Sequence, residues 1–203
     1  MSEEKQLRII EVVPHNPKWK IEYGKEAEKI YNIMKDEIVQ IYHIGSTSIE
    51  GIYAKPIIDI LVEVENINNV DNYNKKMKSL GYIPKGEYGI KGRRFFLKGL
   101  YDRTHHVHIF EKGDSEIERH INFRDYMIEH KEEAKQYEKL KKELALEFRY
   151  DIGSYCIGKD SFIKKIDEKA KLWANKNKNV KCFLVKRKKQ LIVLTKYNLE
   201  GLC

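Results

Sequence analysis

HIGSTSIEGIYAKPIIDILVEV, residues 43–64, is the stretch whose reading decides the fold. Ile57, Ile58, Ile60, Leu61 and Val62 form an apolar run of the kind that fills a buried strand. Asp59 interrupts that run. A carboxylate among aliphatic side chains costs stability unless something pairs with it. The run is preceded by Gly45-Ser46-Thr47, which follows a second apolar segment, Ile38 to Ile44. A glycine-bearing turn leaving a strand can offer successive backbone N–H groups to an anion. Ser46 and Thr47 add hydroxyls, and a short helix starting near Ser48 would strengthen the attraction through its N-terminus. The same turn could equally carry no ligand.

The surrounding pattern alternates. Residues 5–13 suit a short first strand, ended by Pro14 and Pro17. Near-helical spacing from Trp19 to Ile33 predicts a helix over about 18–36. Strands are expected at 38–44 and 57–64, with a turn or short helix at 45–56. A loop then leads to a helix closed by Gly81. Strands at 93–98 and 104–110 make a hairpin. A long helical pattern covers about 117–149, and a last helix runs from Lys159 to Ala174. Strands and helices alternate first and helices finish the chain, which predicts an α/β (α+β) domain with a mixed sheet and a helical C-terminal part.

Composition narrows the function classes. The 203 residues carry 39 Lys and Arg against 31 Asp and Glu, a formal charge of +8. Eight of the basic residues lie at 175–203, against the single acid Glu200, so the other 174 residues hold 31 basic and 30 acidic side chains. A near-neutral body gives little reason to expect a nucleic-acid face. The tail, with Lys186 to Lys189, could make a weak contact with nucleic acid. Composition shifts at Asn175, which predicts a body of 1–174 and a basic extension of 175–203, either a small hairpin or a disordered appendage. No apolar run approaches the length of a membrane span. The acidic N-terminus has no apolar signal core. The odd set Cys156, Cys182 and Cys203 fits free thiols in a reducing compartment. A cytoplasmic protein with no membrane partner is the expectation. Oligomeric state has no signal in the sequence.

Other residues extend the motif. His106 and His108 lie two apart on an expected strand, on one face and about 6.6 Å from each other, with His105 on the opposite face. Two imidazoles with Asp59 could bind a transition metal, whereas the carboxylate alone suits magnesium held through water. His43, just before the turn, could be a further ligand. Alternation lets only one of Arg93 and Arg94 reach a cleft, where a guanidinium matches phosphate oxygens. Lys55 is held extended by Pro56. Arg124 and Asp125, adjacent on a helix, are expected to face apart. Each of these residues also has an ordinary structural role open to it: an ion pair for Asp59, half-buried hydrogen bonds for the histidines, solvated charges for the arginines.

His43, Gly45, Ser46, Thr47, Gly51, Ala54, Lys55, Pro56 and Asp59 resemble the GrpB family, with its His-x-Gly-Ser-Thr run and Ala-Lys-Pro-hydrophobic-hydrophobic-Asp. Pro17-Lys18-Trp19, His105-His106-Val107-His108, Phe123 to Tyr126, Tyr137 with Leu140-Lys141, and Tyr155 with Lys159 agree too. The resemblance spans roughly residues 8–174. It implies the nucleotidyltransferase superfamily: a small mixed β-sheet flanked by helices, and a Gly-Ser turn followed after a spacer by an acid pair. Twelve residues separate Ser46 from Asp59. By that resemblance, Tyr155 and Lys159 could reach a nucleotide or another phosphorylated small molecule. A divalent metal at Asp59 would assist nucleotidyl or phosphoryl transfer to a small acceptor. The departure is Leu61, which stands where the second acid belongs. Glu63 shares the Asp59 face but lies about 13 Å along the strand. That departure keeps two alternatives open: a non-catalytic nucleotide-binding module, and a His/Asp metal-dependent hydrolase. Some family members are fused to a dephospho-coenzyme A kinase domain, which implies an accessory role near coenzyme A metabolism. The kinase phosphate-loop motif is absent from this sequence.

Overall fold

A computed structural model describes residues 9–199, with side chains through residue 177. Its frame is a mixed five-stranded sheet in the order β1-β2-β5-β4-β3. The strands are β1 (Ile38–Ile44), β2 (Ile58–Val64), β3 (Tyr82–Pro84), β4 (Arg94–Lys98) and β5 (His105–Glu111). β2 pairs antiparallel with β1 and parallel with β5, and the other neighbours are antiparallel.

Helix α1 (Lys18–Met34) covers one face of the sheet. Asn16 caps it, accepting from the Lys18 amide at 3.0 Å. Trp19, Ile30 and Met34 of α1 and Met77 of α2 (Asn74–Ser79) pack on Ile58, Ile60, Val62, Val64, Val107 and Ile109. Those residues alternate along β2 and β5, as one face of a pleated strand requires. Gly81 takes φ 87° after α2, the left-handed stop expected of a glycine there.

The other face carries Ile44, Leu61 and Phe110 under Ile117 of α3 (Ser115–Glu129). Helix α4 (Lys131–Glu147) and α5 (Ile152–Leu199) pack with α3 around Met127, Ala134, Tyr137, Ile166 and Ala170. This face also holds Asp59, His106 and His108.

Several expectations are corrected. Of the first strand, residues 5–8 lie outside the described residues. The rest is irregular, apart from one bridge between Val13 and Ala54. The long helical pattern breaks at His130, whose φ and ψ of −105° and 72° separate α3 from α4. The last helix begins at Ile152 rather than Lys159, capped by Asp151 accepting from the Ser154 amide. It continues without a break past Asn175 to Leu199, so neither a linker nor a hairpin interrupts it there. Arg124 and Asp125 do not face apart but bond to each other at 2.7 Å.

The buried residues of α5 are Tyr155, Ile166, Ala170 and Ala174 among those whose side chains are described. A chain ending at residue 177 is therefore expected to unfold in one cooperative thermal transition. Loss of that transition in calorimetry would put the basic extension in the core.

Candidate functional site

Asp59 and His106 are direct neighbours across the parallel β2–β5 pair, and Leu61 and His108 are the next pair on the same face. Nδ1 of His106 lies 3.0 Å from Oδ1 of Asp59, and Nε2 of His108 lies 3.8 Å from the same oxygen. One ligand atom from each of the three side chains lies within 4.8 Å of the others. Burial alone would raise the Asp59 pKa, but the His106 hydrogen bond and the nearby His108 imidazole hold it well below the usual carboxylate range. Burial in turn lowers the His108 pKa, with Asp59 opposing that shift.

The carboxylate has its place because of Gly45. A Cβ there would stand 2.4 Å from Oδ2 of Asp59, and φ is 70°, a conformation that L side chains seldom adopt. Ser46–Ser48 is a single turn of 3₁₀ helix, too short to add the dipole attraction expected of a helix starting near Ser48. The Ser48 hydroxyl closes the turn on the Gly45 carbonyl at 2.6 Å. Thr47 is buried, with its hydroxyl 3.0 Å from Nε2 of His43.

A cavity of about 620 Å³ opens beside Asp59, within the size range of small-molecule sites. One wall holds Gly45, Ser46, Thr47, Asp59 and His106. The lining also includes Lys55 and, from the helices, Lys141 of α4 and Tyr155 and Lys159 of α5. The Lys55 and Lys159 ammonium groups lie 4.8 and 4.5 Å from the Tyr155 ring centre. Lys141, only 2% exposed, donates to the Tyr53 carbonyl. Burial, with Lys159 adding to it, brings the Lys141 pKa down to about 7, and burial lowers Lys159 as well.

The predicted residues divide. Gly45, Ser46, Thr47, Lys55, Asp59, His106, Tyr155 and Lys159 share the cavity. His108 adjoins Asp59 without lining it. His43 pairs across the sheet with Ile60, stacks on Tyr23 with ring centres 4.6 Å apart, and stands apart from the His/Asp group. Arg93 is buried and lies 3.4 Å from Nδ1 of His108, its other bonds going to the carbonyls of Glu87 and Tyr88. It stands behind the histidine rather than in the cavity. Arg94 pairs with Asp71 at 3.0 Å, away from the site. Neither of the two arginines expected to meet phosphate lines the cavity.

Sequence reasoning missed the contribution of α3. Arg119 binds Glu116 at 2.8 Å and Asp167 of α5 at 3.1 Å. His120 lines the cavity with its ring centre 5.5 Å from that of His108, and burial holds its pKa well below normal. The Glu116/His120 spacing, one helical turn, was the available signal. Arg124 donates to the His43 carbonyl at 2.9 Å and so ties α3 to the end of β1.

Two features bear on whether a metal fits. A neutral His106 that donates from Nδ1 to Asp59 has a free lone pair on Nε2, and that nitrogen is buried without a partner. An imidazole oriented by a carboxylate is a common arrangement for a metal ligand. His108 is less ready. Arginine only donates, so its contact with Nδ1 leaves the proton of His108 on Nε2. Ligation through Nε2 needs that proton moved to Nδ1 and the Arg93 contact relaxed.

Fold and cavity define an α/β protein with a cleft lined by Asp59, imidazoles and several lysines. The chain belongs to the GrpB family, whose pattern, described as GrpB protein, matches residues 9–169. It is 46% identical over 180 residues to the UPF0157 protein YqkA of Bacillus subtilis (strain 168), covering 87% of this chain and 52% of that one. It thus spans about half the length of that relative. The Glutamate-rich protein GrpB of Alkalihalophilus pseudofirmus is 36% identical over 160 residues, with 76% of this chain and 92% of the relative covered. The crystal structure of conserved protein GrpB from Enterococcus faecalis matches with a TM-score of 0.77 at 42% identity, over 80% of this chain and 99% of that chain. No helix among the described residues is long and apolar enough to cross a membrane.

Two outcomes are expected from this geometry. Gly45→Ala should cost about 1–3 kcal/mol in denaturant unfolding, from the strained φ and the clash with Asp59. Unchanged stability would mean the turn relaxes freely. The His43 pKa is lowered to about 4, burial being the main cause. The unfolded chain therefore binds more protons between the ordinary histidine value and about 4. Stability contributed by neutral His43 is complete above pH about 6.5 and falls as pH drops toward 4. His43→Gln should flatten that acid slope in urea titrations, and an unaltered slope would reject the assignment.

Proposed function

We propose that the protein binds a nucleotide or another phosphorylated small molecule together with a divalent metal. It would assist attack on a phosphoryl group by a small acceptor or by water. The observation that carries this reading is one cavity lined by Asp59 and His106 together with Lys55, Lys141 and Lys159. Asp59, His106 and His108 would hold the metal, which when bound would polarise a phosphoryl oxygen and neutralise charge. The lysines would receive phosphate oxygens, and Ser46 would offer its hydroxyl beside the Gly45 turn. Two imidazoles with one carboxylate favour a transition metal such as zinc, iron or nickel over magnesium.

Leu61 favours a non-catalytic nucleotide-binding module as a second reading. It is 0% exposed and packed among Ile44, Phe110 and Ile117. The position of a second carboxylate is therefore apolar core, which weighs against ordinary two-metal transfer.

Calorimetric titration with a nucleotide panel, with and without manganese, zinc or magnesium, tests the proposal. Heat of binding is expected for at least one nucleotide with a transition metal. Asp59→Asn should remain folded and lose the metal-dependent part, while Ser46→Ala should weaken binding. Absence of heat with every nucleotide and metal combination would reject the phosphate site.

A further inference from the structure

We infer that Lys141 is a nucleophilic amine that captures a small polar aldehyde from the cavity as an imine. The inference does not rest on the phosphate reading: phosphate would meet the ammonium form of a lysine, and an aldehyde meets the free amine. Lys141 lies on α4, is 2% exposed and lines the cavity. Lysines are almost never fully buried unless an acid pairs with them. Here the side chain lies over the Tyr137 ring, 4.7 Å from its centre, and donates to the Tyr53 carbonyl. The acid one turn before it, Glu138, is already engaged by Lys142 at 2.5 Å and by the Tyr53 amide at 3.1 Å. The charged groups acting on Lys141 are Lys159 of α5, Lys55 of the turn before β2, and Glu138 and Lys142 of its own helix, three of them cations. A lysine kept only to brace Tyr53 would be better served by an acid. An amine desolvated in a pocket and faced by other cations is the environment that activates lysine as a nucleophile. With its pKa brought down to about 7, about half of Lys141 is free amine at neutral pH, against about one in two thousand for an ordinary lysine.

The chemistry balances without an oxidant or reductant. The Lys141 nitrogen adds to the carbonyl carbon, and one N–H proton moves to the carbonyl oxygen, giving a carbinolamine. The hydroxyl then leaves as water with the second N–H proton, and a C=N bond remains. Once protonated, the imine carries one N–H, which keeps the Tyr53 carbonyl as its acceptor. A second, independent observation points to a ligand. Tyr155 is 0% exposed, lines the same cavity, and its hydroxyl has no hydrogen-bond partner. Buried hydroxyls are rarely left unpaired. A hydroxyl donor there suits the oxygen of an incoming carbonyl group.

Reductive labelling of the full chain with glycolaldehyde and cyanoborohydride, read by peptide mass spectrometry, tests the inference. Lys139, also on α4 and with its side chain 79% exposed, is the internal reference. At pH 7 Lys141 should be labelled at least about tenfold faster than Lys139. In urea the two should be labelled at equal rates. The ratio of the two rates in the folded chain should fall as pH rises toward the ordinary lysine range, because Lys139 gains free amine while Lys141 has little left to gain. Lys159→Gln removes one of the cations and should slow Lys141 labelling at pH 7 by at least about threefold, with a melting curve showing that the variant is folded. Labelling of Lys141 no faster than Lys139, a ratio that does not change with pH, or unchanged labelling in Lys159→Gln would each overturn the inference. Glycolaldehyde carries no phosphate, so the outcome is separate from that of the nucleotide titrations.

Discussion

Asp59 can keep its carboxylate on an otherwise apolar sheet because Gly45 has no side chain. The two residues stand at the paired ends of β1 and β2, where Ile44 is the partner of Asp59. A single β-carbon at Gly45 would occupy the carboxylate's space. Register matters as much as size. Sliding β2 by one residue would send Asp59 into the cluster under α1 and bring Ile58 or Ile60 to the cavity. The alternation of Ile58, Ile60, Val62 and Val64 on the α1 side prevents that slip, because all four are buried against one helix layer. The core therefore fixes the site's geometry, and the glycine makes room for its one acid.

The distribution of charge explains why composition said so little about the site. The body of the chain is nearly neutral, yet its cavity holds charges of both signs. Asp59 is held ionised by imidazoles, and lysines line the same cavity, with Lys141 kept in place by the Tyr53 carbonyl and by the Tyr137 ring 4.7 Å away. Asp59 acts on Lys159 electrostatically, opposing the burial that lowers the pKa of that lysine.

Much of this was legible in the sequence, for reasons that can be named. Strand periodicity located β1, β2, β4 and β5, and the two-residue spacing of His106 and His108 put both beside Asp59. Pairing between β2 and β5 was less accessible, since register across a parallel pair depends on tertiary packing. The helical wall was read only in part. No glycine or proline marks the break at His130, where the ring instead stacks on Tyr126 and its Nδ1 meets the Tyr126 carbonyl. Gly153 and Gly158 disguised the start of α5. Gly158 serves close packing, since a β-carbon there would fall 2.5 Å from Leu144 of α4. Lys141 looked like an ordinary helical lysine because its burial comes from α4 packing over the segment around Tyr53. His43 misled because its neighbours in sequence belong to the site while its side chain points to α1.

Leu61 connects the missing acid to the helix that sequence reasoning overlooked. Its side chain packs with Ile117, and Ile121 rests against the same cluster. An acid at position 61 would put a charge beneath α3, at a cost of several kcal/mol without a partner. With leucine there, α3 seats directly on the sheet, and that seating carries Glu116, Arg119 and His120 to the cavity. The Arg119 bridge to Asp167 then ties α3 to α5, the helix that supplies Tyr155 and Lys159. The absent carboxylate and the added helical wall are thus one packing arrangement. Along β2 the cavity therefore meets a single acid, Asp59, with His106 from the neighbouring strand and polar groups from the helices above.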